Sequence, residues 1–544
     1  MILNYLLLML MAYYPLPKQT YITSGFMEYR GNRFHAGVDF GTHMKEGLPV
    51  ISPENGEIYH IRVSIGGYGK ALYLQGQSGR IYVFGHLSKF RKDIENYVRN
   101  EQFSDYKYEQ SLYFSDKFMV TKNEIIGYTG STGIGNPHLH FEVRSSKNRP
   151  INPFEYFDLN DTIAPIIDSI IIIPVNDTSL VNGLPIPTVI HRNEKVNLWG
   201  EAGIIVFCKD YIDNKRYKTV PYTIGKIKLD SFDYADNNKA AWMFFNKLKN
   251  IGIRTYYLND FSLKSIILDS KHSYKVKIVV KDFSGNRNNF TFKINKSRKL
   301  IKTYTFPDKT CMYENGIIHI CIDKGNKKIF SKSSGIKLVK IFKIKDNYHI
   351  YGVPLGGEIR IGQFIDTIYV LTRDIFDLQE GRFNISLGKL SLKERVLAKI
   401  GHTYNSLNIR FSDFPFEKPL KIAIRNRRKY EIICNKWNNR FLGVGKAYIN
   451  RNTAVVIDKD SISPYIDQII IVDDTIFVKI KDNKSGVNFS TISAEYEGIK
   501  LVPFPHKDKV KLISKYKLPS KGIFHLKCKD RTGNKLLYKS SIYR

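Results

Sequence analysis

The chain is poor in the residues that staple small secreted folds. Its five cysteines, Cys208, Cys311, Cys321, Cys434 and Cys528, are odd in number and form no Cys-x-x-Cys pair. That argues against a zinc–thiolate cluster. A chain of 544 residues does not need disulfides to fold, although Cys311 and Cys321 would be joined if they faced each other on a hairpin. The apolar stretches are short. Residues 5–12 and 170–175 both fall well below the roughly 20 residues of an α-helical membrane span. The first resembles the core of a signal peptide, with cleavage near Ala12, but it lacks a basic leader, the first lysine being Lys18. A buried N-terminal segment is the alternative. Acidic charge is also scarce: 84 Lys and Arg against 51 Asp and Glu leave a net charge of +33. Nucleic-acid binding and attraction to an anionic envelope polymer or membrane would each fit that excess. The basic residues are scattered through strand-like segments, however, and no nucleic-acid module gathers them. The excess accompanies abundant Lys, Ile, Asn and Tyr, as AT-rich codon usage produces, so no specific nucleic-acid partner is expected.

Hydrophobic residues make up 43% of the chain, enough for packed cores. One core stops growing at about 250–300 residues, so several domains are expected. Residues 20–160 carry a dense set of Gly and His separated by short β-rich runs, the pattern of a compact antiparallel β domain with glycine turns. Within it, 92–117 is polar and reads as an inserted flap with a short helix over 93–100. It follows His86 closely enough to cover a cleft there.

Beyond residue 157 the chain is strand-like throughout. Ala164-Pro-Ile-Ile-Asp-Ser-Ile-Ile-Ile172 echoes Ser463-Pro-Tyr-Ile-Asp-Gln-Ile-Ile-Ile471. Val280-Lys-Asp-Phe-Ser-Gly-Asn286 echoes Cys528-Lys-Asp-Arg-Thr-Gly-Asn534. Each pair brackets a unit opened by a Pro-led strand and closed by a Lys-Asp-x-x-Gly-Asn turn. The bracketed spans, 162–297 and 461–544, fit β-sandwich domains of immunoglobulin-like size. Residues 298–460 read as a further β-rich domain with one helix over 391–400, Ser391 serving as N-cap and Glu394 at the third helical position. Residues 1–19 are set apart as a signal peptide or N-terminal anchor.

The chemistry gathers in the first domain. His35-Ala-Gly-Val-Asp39, Gly85-His86-Leu87 and His138-Leu-His140 follow one another, the last after the glycine-rich run Gly127-Tyr-Thr-Gly-Ser-Thr-Gly-Ile-Gly135. Residues i and i+2 of a strand share a face, so His138 and His140 project together while Leu139 points into the core. Imidazole and carboxylate suit zinc, and a catalytic zinc keeps three protein ligands and an open position. Two histidines would then remain for proton transfer and oxyanion stabilisation.

On Phe34-His-Ala-Gly-Val-Asp-Phe40, Gly67-Tyr-Gly69, residues 82–87 and 127–142, ending Gly-Asn-Pro-His-Leu-His-Phe-Glu, the chain resembles the lysostaphin-like, LytM-type zinc endopeptidases. The resemblance covers about a quarter of the chain. It implies a mainly β protein: an N-terminal antiparallel β metallopeptidase domain of duplicated-hybrid-motif type, followed here by β-sandwich domains. It implies one zinc ion held by His35, Asp39 and His140, with His86 and His138 as catalytic groups, the choice of base between them left open. It implies hydrolysis of peptidoglycan peptides in the periplasm or cell envelope, and export, with attachment through the N-terminus as one option. Stem-peptide cross-links are the expected substrate. The β-sandwich domains would place the catalytic unit and offer surfaces to envelope or divisome proteins. A non-catalytic scaffold or activator of another wall hydrolase, and a protease acting on secreted proteins, are the competing readings. His43 is expected in an exposed turn, His60 in packing or at the surface, and Glu142 either behind a ligand or at the surface. Asn32 and Thr132 are candidate substrate contacts, and the histidines from His191 onward carry no assignment.

Overall fold

The computed structural model describes residues 14–156 apart from 17–20, 29, 31 and 32, residues 161–232 apart from 175–177, 213–216 and 226, and shorter stretches of 244–543. Most of the expected signal peptide or anchor, and Asn32, lie outside the described residues. No helix among the described residues is long and apolar enough to cross a membrane.

Glycine turns and alternating strands build the N-terminal unit. Its strands are β1 (Ile22–Ser24), β2 (Val38–Gly41), β3 (Pro49–Ile51), β4 (Gly56–Val63), β5 (Lys70–Gly76), β6 (Ile81–Gly85), β7 (Lys89–Phe90), β8 (Gln110–Tyr113), β9 (Met119–Val120), β10 (Ile125–Tyr128), β11 (His138–Arg144) and β12 (Pro150–Ile151). The large sheet runs β1-β2-β11-β6-β5-β4-β8, and a small one runs β3-β10-β7. Val38, Phe40, Leu139 and Phe141 are fully buried in the core between them. Leu16 is buried in the same core, and Ile51 N–H donates to Pro15 O at 2.9 Å.

The inserted segment is a docked element rather than a loose flap. Helix α1 spans Lys92–Asp105, longer than the expected 93–100, and ends on Tyr106 at a left-handed φ of 51°. Ile94 and Val98, one turn apart, are buried in the first core. Lys70 Nζ reaches Glu95 at 2.7 Å. The chain then returns as β8 and extends the large sheet along β4. The outer side of the insertion meets the C-terminal unit, with the Tyr108 and Phe504 rings 5.5 Å apart and Arg99 over Phe504.

The described residues of 166–296 form two sheets, one through 166–174 and 201–212, the other through 273–281 and 287–296, over one shared core. Phe26, Met27, Phe34 and Ala36 of the N-terminal unit enter that core, so the two units pack as neighbours. The pairing of 195–199 with 287–296 is the one parallel ladder among the described residues. Among the described residues three sheets follow between 311 and 459, and one seven-stranded sheet spans 465–543. The helix expected over 391–400 is corrected: residues 396–402 are a strand between 364–371 and 406–411, and 391–395 lie outside the described residues. Leu397 and Ala398 are fully buried between two partner strands, a tertiary setting that overrides local helix signals. Cys208, Cys434 and Cys528 are free, and Cys311 stands opposite His319 instead of Cys321.

Candidate metal centre

Strand register creates the site. On the β2–β11 ladder His140 faces Asp39, Leu139 faces Phe40 and Phe141 faces Val38. Opposite residues of an antiparallel pair share a face, so the apolar members fill the core while Asp39 and His140 emerge together. His140 also faces Gly85 on β6. The glycine of His-Ala-Gly-Val-Asp has a steric reason: a Cβ on Gly37 would sit 2.1 Å from Phe141 O. His35 arrives from the bend before β2, where its Nδ1 meets Gly25 O at 2.7 Å.

Three ligand atoms converge. His35 Nε2 lies 3.1 Å from Asp39 Oδ1 and 3.1 Å from His140 Nδ1, and His140 Nδ1 lies 2.8 Å from Asp39 Oδ1. The outward ring nitrogens are engaged elsewhere, His35 Nδ1 at Gly25 O and His140 Nε2 at Glu142 Oε1 at 2.8 Å. A neutral imidazole has one N–H and one lone pair. With each N–H given to an outer acceptor, two nitrogen lone pairs and a carboxylate oxygen face one another, an arrangement that repels unless a positive charge sits between them. Ligand distances of about 2.0–2.1 Å to a tetrahedral zinc imply edges of about 3.3 Å, close to the observed triangle. The residues present therefore fit a zinc ion.

The surrounding electrostatics agree. Burial would raise the Asp39 carboxyl, but the charges and hydrogen bonds of His35 and His140 hold it well below the ordinary range. Burial would lower His140, but Asp39 and Glu142 outweigh it and lift it to about 9. The pocket thus demands positive charge, as a proton or as a metal. Burial would raise Glu142, yet Arg144 foremost, then His140 and Tyr68, bring it to about 2. Metal-binding histidines characteristically pass their second nitrogen to such a carboxylate. Glu142 is completely buried behind His140 and not at the surface.

His86 and His138 stand beside the triangle with ring centroids 4.4 Å apart. His86 adopts a left-handed φ of 62°, and its Nδ1 lies 2.8 Å from Thr132 O. Burial, with His138 and His140 nearby, lowers its pKa to about 4, so it is neutral near pH 7. His138 Nδ1 lies 2.6 Å from Asn136 O, and its Nε2 lies 3.8 Å from Asp39 Oδ1. Both rings line a cleft of about 840 Å³.

The other candidates separate clearly. His43 is exposed in a turn. His60 packs on Tyr113 with parallel rings 4.1 Å apart and does not line the cleft. Thr132 contributes its carbonyl to His86, while its hydroxyl donates to Leu87 O at 2.8 Å. No described residue of 92–117 lines the cleft, so the insertion does not cover it. Sequence reading missed Arg30, whose Nη2 lies 2.9 Å from Asp39 Oδ2. It missed Glu28, whose carboxylate accepts Gly25 N–H and Ser24 Oγ–H, each at 2.5 Å, and so fixes the turn presenting Gly25 O. It also missed Tyr68, stacked on His140 and donating to Glu142, although the quoted Gly67-Tyr-Gly69 contained it. Tyr217, from the next unit, lines the cleft beside Tyr21 with rings 5.4 Å apart, a contribution no local motif could reveal.

No family model matches the chain. Over 151 residues it is 34% identical to an uncharacterized metalloprotease of Haemophilus influenzae, covering 26% of each chain. The chain thus spans about a quarter of the length of that curated relative. Among solved structures it is similar to a zinc-containing peptidase from Vibrio cholerae, at 28% identity, 26% of this chain, 38% of the other and a TM-score of 0.19. It is also similar to the catalytic domain of EnpA, a prophage-encoded protein of Enterococcus faecalis, at 21% identity, 26% of this chain, 98% of the other and a TM-score of 0.19. The similarity to a metalloprotease holds over about a quarter of the chain.

Proposed function

We propose that the chain is a zinc-dependent endopeptidase that hydrolyses peptide cross-links of bacterial peptidoglycan, working in the periplasm or cell envelope. The observation that carries the reading is the triangle of His35 Nε2, Asp39 Oδ1 and His140 Nδ1, with its lone pairs turned inward. These three residues would hold the zinc ion. A zinc ion bound there polarises a peptide carbonyl and brings the pKa of a bound water to about 7.

The chain's own groups supply the rest. With Nδ1 given to Thr132 O, His86 keeps Nε2 as a neutral acceptor beside the cleft. His138 has Nδ1 given to Asn136 O and its Nε2 3.8 Å from Asp39 Oδ1. One ring takes a proton of the attacking water at Nε2, and that same ring, now charged, faces the developing oxyanion and hands the proton to the leaving amine as the C–N bond breaks, which returns it to neutrality. Arg30 fixes the second oxygen of Asp39, so that Oδ1 stays turned toward the two imidazoles. A cleft of this volume has room for a peptide, and Tyr21 and Tyr217 line it.

The test is mass spectrometry of purified muropeptides after incubation with the wild-type chain and with His140→Ala. New stem-peptide fragments with the wild type alone support the proposal. Intact muropeptides with a zinc-loaded wild type refute it, and cleavage confined to a secreted protein substrate would reassign the enzyme.

A further inference from the structure

Two aspartate trios lie outside the catalytic cleft. Oxygens of Asp161, Asp210 and Asp282 lie within 4.8 Å of one another, and so do those of Asp460, Asp482 and Asp530. Their places in the chain correspond. Asp161-Thr-Ile-Ala-Pro165 and Asp460-Ser-Ile-Ser-Pro464 open the two echoed units. Lys209-Asp210 lies near the end of the strand 201–212 and Lys481-Asp482 at the end of the strand 475–481, and Lys281-Asp282 and Lys529-Asp530 lead into the closing turns. Asn286 Nδ2 donates to Asp161 O at 2.8 Å, and Asn534 Nδ2 donates to Asp460 O at 2.9 Å. Each closing turn is thereby clasped to the residue that opens its unit.

These hydrogen bonds shape the cages without balancing their charge. Among the described residues no Lys, Arg or His pairs with any of the six carboxylates. Nearby lysines turn elsewhere, Lys209 to Asp168 at 2.7 Å and Lys484 to Asp458 at 2.9 Å. In the second trio, Asp460 is 1% exposed, and its Oδ2 accepts Ser485 N–H, but its Oδ1 has no hydrogen-bond partner. Asp482 Oδ1 and the Ser485 hydroxyl, the latter in a residue 2% exposed, are also unpartnered. A buried oxygen left this way costs about 1–3 kcal/mol, more when charged. In the first trio the three carboxylates line a cavity of about 20 Å³ together with Thr219, which is 2% exposed and whose Oγ1 is likewise unpartnered. That volume admits one occupant of water or ion size. Burial foremost, then Asp282 and Asp161, pushes the Asp210 carboxyl up to about 8.

We propose that each trio is a binding site for a hard divalent cation, calcium, so that the chain holds two such ions besides the catalytic metal. Carboxylate, hydroxyl and carbonyl oxygens are the ligands calcium takes, in sets of 6–8 completed by water. The all-oxygen cages differ in kind from the nitrogen-rich catalytic triangle. The first cage sits where the peptidase domain hands over to the next unit, with Asn152 and Phe154 of the former lining the same cavity. Its ion braces the junction from which Tyr217 reaches the cleft.

The test uses the full chain, stripped with EDTA, given one equivalent of zinc, and titrated with calcium up to about 5 mM, above the 10⁻⁴–10⁻³ M range of extracellular modules. Two bound calcium ions per chain are expected. Asp210→Asn and Asp482→Asn should each remove one, and the double variant both, with the far-ultraviolet dichroism retained. Should a variant misfold, terbium luminescence of the wild type, sensitised by Tyr222 in the first cavity and quenched by added calcium, reads the site directly. No calcium bound by the wild type, one ion only, or an unchanged count in the folded double variant would overturn the proposal.

Discussion

Asp39 and His140 stand directly opposite each other on neighbouring antiparallel strands, with Oδ1 of the first 2.8 Å from Nδ1 of the second. A shift of one residue in that register would turn both into the core and expose Phe40 and Leu139. The buried apolar partners therefore hold the two candidate ligands in place, and core packing and site geometry are one constraint.

Glu142→Gln keeps the shape behind His140 but removes the charge that orients its Nε2–H. Zinc affinity is expected to fall about 10–100-fold, as read by competition with a chromophoric chelator. An unchanged affinity would show that Glu142 serves only to neutralise Arg144.

His86→Ala and His138→Ala should leave zinc bound, since neither ring belongs to the triangle. Each should lower kcat on a peptide substrate by about 10²–10⁴. Loss of zinc from either variant would place that ring among the ligands. The pH profiles of the two single variants identify which ring is the base.

Protons and zinc compete for the triangle. His140 in the metal-free fold is raised from its ordinary 6.5 to about 9, so its contribution to stability is complete below about pH 6.5 and is lost as pH rises through about 9. Asp39 is lowered, so its contribution is present above about pH 4 and is lost as the medium becomes more acidic. The melting temperature of the metal-free chain should therefore decline between pH 6.5 and 9, while zinc affinity climbs over the same interval. The zinc-loaded chain should lack that alkaline decline. A melting temperature that rises from pH 6.5 to 9 in the metal-free chain contradicts this.

Ile94→Ala removes a fully buried side chain from the face of α1 that packs on the first core. It should cost about 2–5 kcal/mol and raise amide exchange in 92–113. Zinc binding should be unaffected, because that segment does not line the cleft. Weakened zinc binding would mean that the insertion supports the site after all.

Much of the candidate site was legible because strand periodicity is short-range. His138 and His140 share a face by the alternation of the backbone alone, and Leu139 is buried as that alternation requires. Arg30 and Tyr217 were invisible, since each depends on which segments lie side to side in space. The helix read over 391–400 failed for the same reason: two flanking strands claim 396–402, and capping residues carry no information about them. The echoed Lys-Asp-x-x-Gly-Asn turns were seen as punctuation. Only their meeting with Asp161 and Asp460 shows them as chemistry.

The most direct measurement is elemental analysis of the full chain after dialysis against trace zinc, compared with Asp39→Ala. One tightly held zinc per wild-type chain and almost none in the variant is the predicted result. A wild-type chain that takes up no zinc, or a variant that holds it equally well, would contradict the account.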